Sequence, residues 1–486
     1  MARLAPPSRG VAAKWMLLGL CLLLCGAAAP APARPRPGSA ALSPRKPRAP
    51  LRATRTLKIP YSRYQLGNGL TVILHEDRAQ PLVAVNIGVG VGSADESAGR
   101  TGFAHLFEHL MFMGTARVPE KMFDEWMELA GAANNAWTST DRTGYHELGP
   151  SHSLPLLLWL EADRLAVLGA QMAQPKLDLQ RGVVRNERRQ TSENEPYGKA
   201  ELRLPELLFP VGHPYHHPVI GSHADLEAAS LGDVQAFFAK WYVPANMALV
   251  VAGDFDQAAI RPQLARYFGA IPAGAGKPQS QPVPAPVRLG AVVRESLEDN
   301  VTLPKTTMAW HSPARFEPGD AELDLLAEIA TNGKASRLYK PLVHERQLAQ
   351  GVSAGQRSMA LGSYFAVEAL SRPGVSLDDL EAAIDAELSV LRDAPVGEEE
   401  LVRAKNQYET SFVSRMQSLG HRAAMLGDYQ LSRGEPDWAA QDLDRYRRVT
   451  RESLHEVARR VLDPGSRVIL RVVPAAAPAA APEGGP

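Results

Sequence analysis

The segment Gly102-Phe103-Ala104-His105-Leu106-Phe107-Glu108-His109-Leu110-Met111-Phe112-Met113-Gly114 leaves the backbone little choice. Its ligand-type side chains His105, Glu108 and His109 project together only from an α-helix, which brings positions i, i+3 and i+4 onto one face. The same helix leaves Phe103, Leu106, Phe107, Leu110 and Met111 to pack into a core. Two imidazoles one turn apart can occupy two corners of a zinc tetrahedron, and a catalytic zinc needs a third protein ligand plus an open position. Glu108, next to the second histidine, is placed to take a proton from water whose pKa the metal has lowered. His-x-x-Glu-His is the inverted order of the common zinc-peptidase motif.

The rest of the composition narrows the ligand set. Both cysteines, Cys21 and Cys25, fall in the first 33 residues, so a zinc further along must use nitrogen and oxygen. Those 33 residues read as a secretory signal: Arg3, Arg9 and Lys14 open it, Trp15 to Leu24 form its apolar stretch, and Ala27-Ala28-Ala29 or Ala31-Pro32-Ala33 offer a small-residue cleavage site. An exported, periplasmic or secreted protein is expected, with anchoring by the uncleaved segment as the alternative. The 486 residues are 45% hydrophobic and carry 53 Lys+Arg against 53 Asp+Glu, so no charge imbalance argues for nucleic acid as a partner.

After a Pro/Arg-rich flexible leader over 34–57, the folded part starts near Lys58. Leu66-Gly67-Asn68-Gly69-Leu70 predicts a hairpin turn before the strand Thr71 to Leu74, and Leu82 to Val91 a second strand. Lys121 to Ala130 is amphipathic, Asn134 to His146 reads as two short strands around a turn, and Leu154 to Leu168 and Leu231 to Trp241 read as helices. The histidines of His213-Pro214-Tyr215-His216-His217-Pro218 tempt one to a second metal, but two prolines prevent a regular ligand spacing. Residues 272–292 read as a linker. Val461 to Leu470 then repeats the helix, proline and strand of Tyr242 to Val251, with Pro464 standing where Pro244 stands, so the second half is expected to repeat the first. At the place of the histidine helix, Leu323 to Ala330 has no histidine.

The motif, the polar helix Gln180 to Gln190 and the Tyr242–Asp254 ending together resemble the pitrilysin or insulinase family of zinc peptidases, and among them the bacterial two-subunit members similar to the mitochondrial processing peptidase. The resemblance implies that Glu187 is the third ligand of one Zn2+ per chain, with His105, His109 and the base Glu108. It also implies that Asn135 and Ala136 lie on an edge strand that pairs with an extended substrate, a role with a physical basis because an unpaired strand edge bonds any peptide backbone. Relatives often carry an acidic residue where Gln180 stands, so the surroundings of the metal are expected to be less negative here. Catalytic members also have an arginine and, seven residues on, a tyrosine in the second half; Val343 and Gln350 occupy those positions here, and a one-register slip recruits Arg346 but no tyrosine. A homologous chain is therefore expected to supply that pair in a heterodimer, the alternatives being a homodimer of low activity or a non-catalytic scaffold. Zinc chemistry alone also allows an ester or phosphate substrate; the peptide assignment rests on the resemblance and the Asn135 strand.

The reading is an α+β chain of two homologous halves, each a mainly antiparallel sheet with helices packed on one face. The zinc-bearing domain is expected over 58–271, the metal-free domain over 293–474, and an Ala/Pro-rich tail over 475–486.

Overall fold

Strands form where β-branched and aliphatic residues run together, and their burial tells where each sits in its sheet. The computed structural model describes residues 57–279, 282 and 284–475, so the expected signal, the leader up to Thr56 and the tail after Ala475 lie outside the described residues. In the first half the strands are β1 (Ser62–Gln65), β2 (Thr71–Glu76), β3 (Leu82–Val89), β4 (Ala133–Thr138), β5 (Thr143–Pro150) and β6 (Met247–Gly253). All of β6, Met-Ala-Leu-Val-Val-Ala-Gly, is buried, as a central strand covered on both faces must be, whereas β1 and β4 alternate exposed and half-buried residues at the two edges. The helices are α1 (Phe103–Leu110), α2 (Met122–Leu129), α3 (Leu154–Gln171), α4 (Gln174–Arg188), α5 (Gly198–Leu208), α6 (His223–Ala228), α7 (Leu231–Trp241) and α8 (Gln257–Phe268).

The second half contributes β7 (Val293–Asp299), β8 (Lys305–Ser312), α9 (Asp320–Thr331), β9 (Ala349–Arg357), β10 (Ser363–Ser371), α10 (Leu377–Asp393), α11 (Glu398–Arg415), α12 (Leu419–Arg433), α13 (Ala439–Arg448), α14 (Arg451–Val461) and β11 (Val468–Pro474). The first sheet runs β1-β2-β6-β3-β5-β4 and the second β7-β11-β8-β10-β9. Without β1 the two orders correspond strand for strand. Each sheet has one parallel pair, β2 with β6 and β7 with β11, and is otherwise antiparallel. The chain thus has the α+β fold of two similar halves expected from the helix–proline–strand repeat.

One face of each sheet packs on helices of its own half. Val72 and Leu74 point into the core that holds Leu106, Phe107 and Leu157, and Val367 and Ile469 into the one that holds Leu326, Ile384 and Leu454. The opposite faces are also apolar and are covered by an exchange of helices. Ile73, Ala84, Val250 and Ala252 of the first sheet meet Ala423, Leu426 and Tyr429 of α12, and Ala309, Val468 and Leu470 of the second meet Ala200, Leu204 and Leu208 of α5. Each buried Leu, Ile or Val side chain at these contacts stabilises by about 1.5–3 kcal/mol relative to exposure, so the exchange binds the halves firmly. Gly88 permits the approach of α12, since a Cβ there would lie 2.6 Å from Leu431 Cδ1. Among the described residues no helix is long and apolar enough to cross a membrane.

Candidate metal centre

The histidine helix begins at Gly102, whose φ of +86° is left-handed backbone that favours glycine and whose absent Cβ would stand 2.6 Å from the Ile220 carbonyl oxygen. Ahead of it, the buried carboxylate of Glu96 accepts the N–H groups of Gly102 at 2.8 Å and Ala104 at 2.7 Å, pairing donors that a helix start leaves free. These contacts fix where α1 enters the site. Phe103, Leu106, Phe107 and Leu110 face the core, and the opposite face carries the ligand-type residues.

His105 and His109 stand one turn apart with ring centroids 4.8 Å apart. Helix α4 packs against α1 and brings Glu187 to them, with Oε1 at 3.8 Å from His105 Nε2 and Oε2 at 3.2 Å from His109 Nε2. One ligand atom from each of the three lies within 4.8 Å of the others, and no second such group of His, Cys, Asp and Glu occurs among the described residues. Glu187 Oε2 is buried yet accepts no well-directed hydrogen bond. A buried carboxylate oxygen without a well-directed donor is costly, so this one, 3.2 Å from His109 Nε2, is suited to a cation. Two nitrogens and one oxygen fit zinc with a position left open.

The electrostatics follow from this crowding. Burial, reinforced by the neighbouring His109, pushes His105 down to about 4, so it stays neutral and able to ligate. Burial also works against charge on His109, but the nearby Glu187 carboxylate outweighs it and raises this imidazole. Contact with His109 in turn lowers Glu187. Glu108 is buried, which pushes its carboxyl up, while Thr138 Oγ1 donates to its Oε2 and opposes the rise. Gln180 lies beside these groups, its Nε2 donating to Met113 Sδ at 2.7 Å, and its amide helps to hold charge on His109.

Asn135 and Ala136 lie on β4, an edge strand that among the described residues pairs only with β5. The Ala136 N–H donates to Asn135 Oδ1 at 2.8 Å. A cleft of about 710 Å³ is lined by His105, Glu108, His109, Asn135, Ala136 and Glu187, together with Gln180, Trp137 and Val183. The residues picked out from the sequence therefore share one cavity. Sequence reasoning missed Thr138 and Glu96. Thr138 was within reach, since the period of two along β4 sets it on the face of Ala136; Glu96 was not, because a loop carboxylate reveals its helix-capping contacts only in three dimensions.

The histidines over 213–217 do structural work. His213 stacks on Phe209 with centroids 4.6 Å apart, and His216 Nδ1 lies 2.7 Å from the Phe209 carbonyl oxygen. In the second half Val343 is buried in the core, Gln350 is exposed on β9, and Arg346 is tied to Glu387 at 2.8 Å.

Comparison with known proteins gives a consistent result. The model of the insulinase family, peptidase family M16, matches residues 71–208, and that of the peptidase M16 inactive domain matches residues 228–408. The chain is 28% identical over 384 residues to zinc protease PqqE of Helicobacter pylori, covering 78% of this chain and 86% of that protein. It is 24% identical over 383 residues to mitochondrial-processing peptidase subunit beta of Blastocladiella emersonii, covering 76% of this chain and 79% of the relative. The crystal structure of a protease from Helicobacter pylori matches with a TM-score of 0.78 over 86% of this chain and 100% of the other at 24% identity, a likeness of fold.

Proposed function

The chain belongs to the insulinase family of peptidases, peptidase family M16, and on that premise we propose that it is a zinc-dependent endopeptidase subunit, cutting peptides or unfolded segments held as an added strand on the β4 edge in a closed chamber. One Zn2+ per chain would be held by His105, His109 and Glu187, where it supplies Lewis acidity that lowers the pKa of water and polarises a carbonyl. Glu108 takes the proton from the attacking water and passes it to the leaving amine nitrogen. Its burial shields the carboxylate from bulk water, and the Thr138 hydroxyl donates to one of its oxygens at the wall of the cleft. Asn135 and Ala136 hold the substrate backbone beside it.

The convergence of His105, His109 and Glu187 around a common centre, with Glu108 and the β4 edge in the same cleft, carries this reading. The test is a zinc-loaded Glu108→Gln variant assayed with its partner chain. Zinc content is expected to stay at the wild-type level while turnover falls by about 10²–10⁴-fold. Wild-type rates would overturn the assignment of the base.

A partner enters because Val343 donates no hydrogen bond and Gln350 has no aromatic hydroxyl, while Arg346 is committed to Glu387. We propose that a homologous chain closes the cleft and supplies an arginine and a tyrosine to stabilise the developing charge. Export through the segment 1–33 belongs to the same proposal. Purifying the mature chain from its source is expected to bring such a homologue with it, and full activity of the isolated monomer would refute the split site.

A further inference from the structure

The turn at the end of the edge strand is held by the second half of the chain. It joins β4 to β5 through Ser139, Thr140, Asp141 and Arg142, and Ser139 N–H donates to the Arg142 carbonyl at 2.8 Å. Asp141 accepts the Tyr215 hydroxyl on one oxygen and the Ala360 N–H, at 3.0 Å, on the other. The Tyr215 oxygen accepts the Leu361 N–H at 2.9 Å. Arg142 pairs with Asp428 on α12, and Arg315 fixes the same carboxylate through two contacts of 3.2 and 2.6 Å. The Arg142 and Asp428 side chains are only 19% and 24% exposed, so their pairing is less screened than that of surface ions.

From this turn the path to the chemistry is short. Thr138, which donates to Glu108, is the last residue of β4, and the Arg142 guanidinium lies 6.0 Å from the ring of Trp137 in the cleft wall. An edge strand is paired on one side only, so a tie at its hairpin turn adds to what holds its register and twist. Here that tie comes from across the molecule.

We infer that the metal-free half positions both the general base and the substrate edge of the metal-bearing half through this turn, with Arg142 and Asp428 as positioning residues. The inference rests on the reading of Glu108 given above. Neither residue touches the reacting atoms. Breaking their link lets β4 pivot on β5, draws Thr138 away from Glu108 and leaves the carboxylate without its aim.

The test uses the full, zinc-loaded chain with its partner and an extended peptide substrate. Asp428→Asn keeps the side-chain shape without the charge, and Arg142→Gln approaches the same link from the other side. Each is expected to lower kcat by about ten- to a hundredfold at unchanged zinc content, the scale of a remote misplacement of about 1 Å. Thr138→Val is expected to do the same, and Thr138→Ser to recover the rate. Combining Asp428→Asn with Thr138→Val is expected to be no slower than Thr138→Val alone, because both act on one carboxylate, whereas a merely structural role gives losses that multiply. Wild-type kcat in both single variants of the link, or multiplying losses, would overturn the inference. Glu108→Gln run alongside separates the two readings: if it is active, the base assignment falls and this inference with it, and if it is dead while Asp428→Asn and Arg142→Gln turn over normally, this inference falls alone. Should Asp428→Asn fail to fold, Arg142→Gln decides.

Discussion

Helices α1 and α9 occupy the same place in the two halves, after the corresponding strands β3 and β8, and both start at a glycine in left-handed backbone, Gly102 and Gly319. Counting forward from each glycine, the positions of His105, Glu108 and His109 correspond to Glu322, Leu325 and Leu326. Leu325 and Leu326 are fully buried, as a core-facing helix prefers. The first half gives up that packing and buries a carboxylate beside two imidazoles instead. The fold therefore does not need the polar cluster, and a polar cluster that the fold does not need points to chemistry.

The largest expected effect breaks the comparison at the ligand helix. Glu187→Gln on α4 is expected to reduce zinc affinity by well over the ten- to hundredfold that outer contacts of a metal site command, and activity with it. Glu409→Gln on α11, the corresponding helix of the second half, removes only a half-exposed contact with Arg447, worth about 0–1 kcal/mol, and is expected to leave zinc content unchanged. Metal analysis of the two purified variants checks both. Equal zinc loss in the two would mean that stability, and not ligation, was being measured.

A smaller effect compares the two starting glycines. Alanine at either must adopt left-handed backbone, which costs about 1–2 kcal/mol. At Gly102 the new Cβ also meets the Ile220 carbonyl oxygen at 2.6 Å, and backbone yields little; at Gly319 the nearest atom is Arg460 Nη2 at 2.9 Å, the far end of a flexible side chain. Gly102→Ala is expected to lower the melting temperature more than Gly319→Ala and to be the only one of the two that lowers zinc affinity, because it tilts the histidine helix. Thermal melts and zinc titration of both variants measure this.

The same comparison shows what sequence can carry. The helices over 154–168 and 231–241 and the hairpin before Thr71 were legible because they rest on local periodicity and turn chemistry. Pro244 and Pro464 were enough to reveal the repeat, since each follows a helix and precedes a central strand. The exchange of α5 and α12 was not legible, because an amphipathic pattern says that a face is buried but not against which sheet. At the site, His105 and His109 follow from helical spacing, while Glu187 came only through resemblance, since no local rule links residues on separate helices. Asp428 gave no signal at all: its partners Arg142 and Arg315 are distant in sequence, and a charge on a helix looks solvated until the fold brings its partners.

The smallest expected effect sharpens the comparison through pH. The second half has its own enclosed carboxylates, on α9 and α13, and among the described residues they belong to no group that could hold a metal: Asp324 accepts the Tyr446 hydroxyl at 2.7 Å, and Arg445 bridges Asp320 and Asp442. Burial raises the Asp324 carboxyl from its ordinary 3.8 to about 7, more than the Tyr446 hydrogen bond lowers it. Between those two values the folded chain keeps a proton that the unfolded chain has lost, so stability falls as pH rises across this window and levels off above it. The expected contribution from pH 6 to 7 is at most about 1.4 kcal/mol, and Asp324→Asn should remove it. Denaturant melts of the wild type and Asp324→Asn at both pH values measure the difference. An unchanged pH slope in Asp324→Asn would place the proton elsewhere in the cluster. A reduced slope would show that ionisation of this buried acid works against the fold of the second half, whereas the buried acid of the first half, Glu108, lines the cleft that also holds His105, His109 and Glu187.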